Sequence, residues 1–90
     1  MTEVTINVET PEQATLIVML LQVLGNAKNK HPTWPDCPVK QAAIVAEEAG
    51  ELIREANHID EGKGDYLLLK AEALQTAATA FRLLEVNYGK

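Results

Sequence analysis

Residues 44–55 read Ile44-Val45-Ala46-Glu47-Glu48-Ala49-Gly50-Glu51-Leu52-Ile53-Arg54-Glu55, and about six helical turns after Glu51 comes Glu72-Ala73-Leu74-Gln75. At about 100° per residue, Ile44, Glu48, Glu51 and Glu55 form one stripe of a helix. Glu47 flanks that stripe, and beside it lies a wide apolar face containing Ala42, Val45, Ala49, Leu52, Ile53, Ala56 and Ile59. Glu48 and Glu51 stand at i and i+3, where like charges about 5–6 Å apart destabilise a helix. A divalent cation is the simplest compensation. The bland alternative is a solvated helix face helped by an i,i+3 pair between Glu51 and Arg54.

Working outward, the acidic helix is expected over residues 38–59, with Asp36 as its N-cap and the Asp60-Glu61-Gly62-Lys63-Gly64 turn at its end. A third helix is expected over residues 65–86. Its apolar residues fall on nearly every side, with Leu74, Ala77, Ala78, Phe81 and Leu84 on one arc and Leu69, Ala73, Ala80 and Leu83 on another. A helix of that kind is buried on more than one side. With so few other helices in the chain, this points to a bundle completed by oligomerisation. Glu72, Gln75, Thr76 and Thr79 form a polar stripe on the third helix, and polar groups inside an apolar element need partners.

Upstream, His31 to Cys37 with Pro32, Pro35 and the following Pro38 reads as a loop, because each proline also disfavours helix at its predecessor. This loop contains Trp34, the sole tryptophan. A first helix is expected over residues 10–30, starting with Thr10 as N-cap, Pro11 at the first helical position and Gln13 placed for a capping box. Leu16, Ile17, Leu20, Leu21 and Leu24 carry its apolar face, and fraying is expected after Gly25. Residues 1–9 alternate Val4, Ile6 and Val8 with polar residues, which suits either a short strand paired with a symmetry mate or a loosely ordered arm. The fold class expected is therefore all-α, three main helices in a single domain over 1–90 with a short N-terminal extended segment.

Ninety residues with 47% hydrophobic side chains suffice for one small soluble domain and leave no room for a second core. The net charge of −5 argues against a nucleic-acid duplex or an anionic membrane as partner, since both require clustered Lys and Arg. Cys37 stands alone, which excludes an internal disulfide and a cysteine-based zinc site and suggests a reducing compartment. The first residues do not resemble a signal peptide, and the apolar run Ala14 to Leu24, interrupted by Gln22, is too short to span a bilayer. A cytoplasmic location is the expectation.

If the second and third helices pack antiparallel, their polar stripes meet as a set of oxygen ligands suited to Mg²⁺ or Mn²⁺ rather than zinc. Mg²⁺ keeps waters and substrate phosphates in its sphere, so metal-assisted phosphoanhydride hydrolysis is the matching reaction class. Glu47-Glu48-x-x-Glu51 followed by Glu72-x-x-Gln75 resembles the EExxE and ExxD motifs of MazG-like all-α nucleoside triphosphate pyrophosphohydrolases, over roughly residues 31–86. Short phage or mobile-element members are also similar in length and in the Trp-Pro segment. The resemblance implies cleavage of NTP or dNTP between the α and β phosphates, giving monophosphate and pyrophosphate, in a homodimer or homotetramer. It implies Glu48, Glu51 and Glu72 as Mg²⁺ ligands and Glu47 as the residue that positions or deprotonates the attacking water.

The departure is Gln75, where the family has Asp. Its amide oxygen can still ligate or hold a metal-bound water, but one negative charge is lost. A non-catalytic nucleotide- or metal-binding module is therefore the alternative function, and a purely structural helical assembly is a third. Trp34 is a candidate for base stacking and otherwise a loop anchor. Lys40 and Arg82 are candidate phosphate contacts, with Arg54, Lys63 and Lys70 behind them; His31 and Cys37 read as structural or inert.

Overall fold

The computed structural model describes residues 1–89 and contains three helices: α1 (Pro11–Lys30), α2 (Pro38–Asp60) and α3 (Tyr66–Leu84). The all-α expectation holds. α3 packs along both α1 and α2, whose backbones stay apart from each other. α3 is thus the spine, and a cleft opens between the two outer helices. None of the helices is long and apolar enough to cross a membrane.

The helix ends follow local chemistry. Thr10 is extended and its hydroxyl accepts from the Gln13 N–H at 3.3 Å, while Gln13 Oε1 accepts from the Glu9 N–H at 2.8 Å, one residue before the usual capping-box donor. α1 does not fray after Gly25 but continues to Lys30. Tertiary contacts hold its last turns: Leu24 is buried, and Lys28 pairs with Glu85 beyond α3 at 2.7 Å. Cationic Lys28 and Lys30 also suit the negative end of the helix dipole.

α2 begins at Pro38, as expected, but its N-cap is Cys37 rather than Asp36, and Cys37 offers no side-chain hydrogen bond. Pro38, whose fixed φ suits the first helical position, sets the start there. α3 is shorter than the expected 65–86, because Asp65 serves as N-cap, accepting from the Leu67 N–H at 2.8 Å, and the helix ends at Leu84. Glu55, part of the acidic stripe by sequence, braces this junction instead: its Oε1 accepts from the Asp65 N–H at 3.2 Å and its Oε2 lies 3.8 Å from His58 Nδ1.

The α2–α3 turn is tightly wound. Lys63 and Gly64 both donate backbone N–H groups to the His58 carbonyl, at 2.8 and 2.9 Å, and Gly62 has φ 77°, in the region that favours glycine. A Cβ on Gly64 would stand 2.5 Å from the Ile59 nitrogen.

Residues 1–9 form no strand ladder with the rest of the described chain. Val4, Ile6 and Val8 stay exposed and, with Ala14 and Ile17, border a shallow groove of about 240 Å³. Among the described residues only Leu24 and Ala78 are buried apolar side chains. The radius of gyration is 15.0 Å, against about 12 Å for a compact chain of this length.

The Gly64 geometry yields a stability prediction. Gly64→Ala forces backbone rather than a flexible side chain to move, so it should cost about 1–3 kcal/mol in urea unfolding. Gly25→Ala, where a Cβ meets nothing within 4 Å, should instead stabilise by up to about 1 kcal/mol. A neutral Gly64→Ala would contradict this account of the turn.

Candidate functional site

The hairpin sets α2 and α3 side by side, and this brings the two acidic motifs together. Glu48 and Glu51 from α2 and Glu72 from α3 offer carboxylate oxygens that all lie within 4.8 Å of one another. All three residues are half-buried. Glu72 Oε2 is sealed from solvent and has no hydrogen-bond partner among the described residues. Glu51 does not pair with Arg54; the ion pairs found are Lys28–Glu85, Glu55–His58 and Glu61–Lys63.

The electrostatics carry the mark of this crowding. Burial pushes the Glu48 carboxyl above its ordinary value, and the charges of Glu51, Glu72 and Glu47 push it further. Glu72 is also raised, first by burial, then by the nearby charge of Glu51, with Glu55 adding and Arg54 opposing.

The cluster forms one wall of a cleft of about 740 Å³, a size typical of small-molecule sites. Glu47 is exposed on the same wall, outside the three-carboxylate cluster. Glu72, Gln75, Thr79 and Arg82 recur along the cleft-lining face of α3, ten residues or about 15 Å of helix. Gln75 borders the cleft and is exposed. The Thr76 and Thr79 hydroxyls find their partners within α3, donating to the Glu72 and Thr76 carbonyls at 2.8 and 2.9 Å, and Thr76 does not reach the cleft. The polar stripe expected there is thus narrower than its sequence suggests.

Toward the other end of this α3 face the cleft turns cationic and aromatic, with Lys30 and His31 at the end of α1, Thr33 and Trp34 in the loop, and Arg82 on α3. Arg82 is only 8% exposed. It donates to the His31 carbonyl at 2.7 Å and lies over the Trp34 ring, 4.8 Å from its centroid. One face of Trp34 is therefore occupied by Arg82. Trp34 Nε1 is sealed without a partner among the described residues.

Of the residues singled out from sequence, Glu47, Glu48, Glu51, Glu72, Gln75, Trp34 and Arg82 all line this one cleft, and Lys40 does not. Lys40 is exposed near the start of α2. Asn26, Lys30 and Thr33 were not legible as cleft residues, and Lys30 supplies the cation that Lys40 does not. The signal available was the i, i+4 spacing of Asn26 and Lys30, which mattered only once α1 was known to persist. No protein-family model, curated protein or solved structure matches the chain.

The raised carboxyls give a pH prediction for the cation-free protein. The folded state binds protons more tightly at Glu48 and Glu72 than the unfolded chain, whose reference value is 4.5, so these groups destabilise the fold above their raised values. That penalty is relieved as pH falls from the raised values toward 4.5. In chelator, thermal unfolding should show Glu72→Gln more stable than the parent at neutral pH, with the difference shrinking on acidification through that window. A constant difference would contradict the assignment.

Proposed function

We propose that the chain is an Mg²⁺-dependent nucleoside triphosphate pyrophosphohydrolase that cleaves NTP or dNTP to monophosphate and pyrophosphate. The observation that carries this reading is the convergence of Glu48, Glu51 and Glu72 from two helices, their oxygens within 4.8 Å, on the wall of a cleft large enough for a nucleotide. The resemblance of the two motifs to the MazG-like family supplies the substrate class and the bond cleaved.

The donor set fits a hard divalent cation. It is all oxygen, its like charges are mutually repulsive, and Glu72 Oε2 is buried without a partner. Glu48, Glu51 and Glu72 would hold Mg²⁺, or Mn²⁺, and Gln75 borders the same space with a neutral amide oxygen. Bound there, the cation would neutralise charge that develops on the phosphates. Glu47 would orient the attacking water and accept its proton as the water oxygen bonds to the α phosphorus. The bond from that phosphorus to the bridging oxygen breaks, and pyrophosphate leaves. Lys30 and Arg82 would attract the anionic substrate into the cleft, and Trp34, on the face that Arg82 does not cover, would stack on its base.

The second reading is a non-catalytic nucleotide- or metal-binding module, favoured by Gln75 in the place of an acid. Pyrophosphate release from a panel of NTPs and dNTPs, with Mg²⁺, Mn²⁺ or chelator, separates the two. Metal-dependent release is expected. Glu48→Gln should lower turnover by at least about a hundredfold with helicity retained. A parent that binds Mg²⁺, read as a rise in melting temperature, yet releases no pyrophosphate would leave the binding module standing.

The functional unit proposed is a homodimer or homotetramer. Support comes from the small number of buried apolar side chains and from exposed Leu16, Met19, Ile53, Leu67 and Leu68 on all three helices. Sedimentation equilibrium at micromolar concentration should give a mass of two or four chains, and a monomer would reject this unit.

A further inference from the structure

The loop that carries Trp34 has little structure of its own. Among the described residues, no backbone group of 32–36 bonds to another backbone group. Pro32 and Pro35 lack backbone donors, so the placement of the loop rests on side chains. At one end Arg82 holds the His31 carbonyl; at the other, Gln41 Nε2 donates to the Pro35 carbonyl at 2.7 Å, one residue from Trp34.

Gln41 is fully buried, at 0% exposure, near the start of α2. A buried amide must satisfy both of its ends. Here Gln41 Oε1 accepts from the hydroxyl of Tyr88, in the segment after α3. The Pro35 carbonyl can only accept, so it takes the NH₂ group, and the Tyr88 hydroxyl meets the amide oxygen that would otherwise be buried without a partner; losing the hydroxyl leaves that oxygen unsatisfied and loosens the hold of the amide on the loop. Tyr88 is 44% exposed as a whole, and it lies in the segment after α3, so its hydroxyl reaches the buried amide from outside the α2–α3 contact.

We infer that Gln41, held by Tyr88, is a positioning residue for the cleft: the chain Tyr88–Gln41–Pro35 sets where Trp34 stands, and so the shape of the wall that meets the nucleotide base. The link to nucleotide rests on the function proposed above. The acidic cluster sits on α2 and α3, outside this chain of contacts, so the effect falls on substrate binding rather than on the chemical step.

Trp34 is the only tryptophan, and its fluorescence reports the loop directly. Tyr88→Phe keeps the ring and deletes the hydroxyl; Gln41→Met keeps the volume and deletes both amide contacts. Both variants should show stronger acrylamide quenching of Trp34 at temperatures far below unfolding, and KM raised about fivefold with kcat unchanged, the factor to which one net hydrogen bond corresponds. Should Gln41→Met fail to fold, Tyr88→Phe alone decides. Unchanged quenching with native helicity would overturn the inference, as would a fall in kcat at constant KM. If the parent releases no pyrophosphate, the nucleotide reading fails separately, and quenching still tests the positioning of Trp34.

Discussion

Mutual repulsion among Glu48, Glu51 and Glu72 is the constraint on which the rest of the structure turns. A fold that sets three carboxylates within 4.8 Å of each other, two of them with raised proton affinity, holds electrostatic energy that a solvated helix face would not. The α2–α3 hairpin imposes that proximity. Its turn is wound tightly around the His58 carbonyl and closed by Gly64, where no side chain fits, and Glu55 ties it to the start of α3.

The second feature is the open placement of α1. Because α1 meets α3 but stays apart from α2, the same face of α3 that carries Glu72 also lines a cleft running to Arg82. This architecture leaves few apolar side chains buried, which places it near the limit of what a 90-residue chain can sustain alone. Cleft and thin core have one cause, the splaying of the outer helices about a central one. An assembly that covered their outer faces would add burial while leaving the cleft shaped by a single chain.

Arg82 and Gln41 show how such a cleft acquires a defined wall without a large core. Both are buried polar residues, and each ends on a carbonyl of the Pro-rich loop. Arg82 serves two demands at once, since it covers one face of Trp34 while lining the cleft. Its guanidinium is therefore less free to move than that of a surface arginine.

The amino-acid sequence by itself determined the three helices, the Thr10 start of α1, the loop at the prolines and the acidic stripe, because each follows from periodicity or capping chemistry within a few residues. It also placed Glu48, Glu51 and Glu72 on facing stripes, since a short turn between two amphipathic helices admits few other packings. Asp36 as a cap and fraying after Gly25 were misread because Pro38, preferred at the first helical position, makes Cys37 the N-cap, and because Leu24 and Lys28 are anchored to other parts of the chain. Tertiary structure alone decided that Lys30 and not Lys40 faces the cleft, that Glu55 leaves the acidic cluster to brace a turn, and that Tyr88 reaches Gln41. These are contacts between residues ten to about fifty positions apart, set by how helices lie against one another. No periodicity encodes them, because a helix turns the same face to its neighbour whichever end of that neighbour it meets.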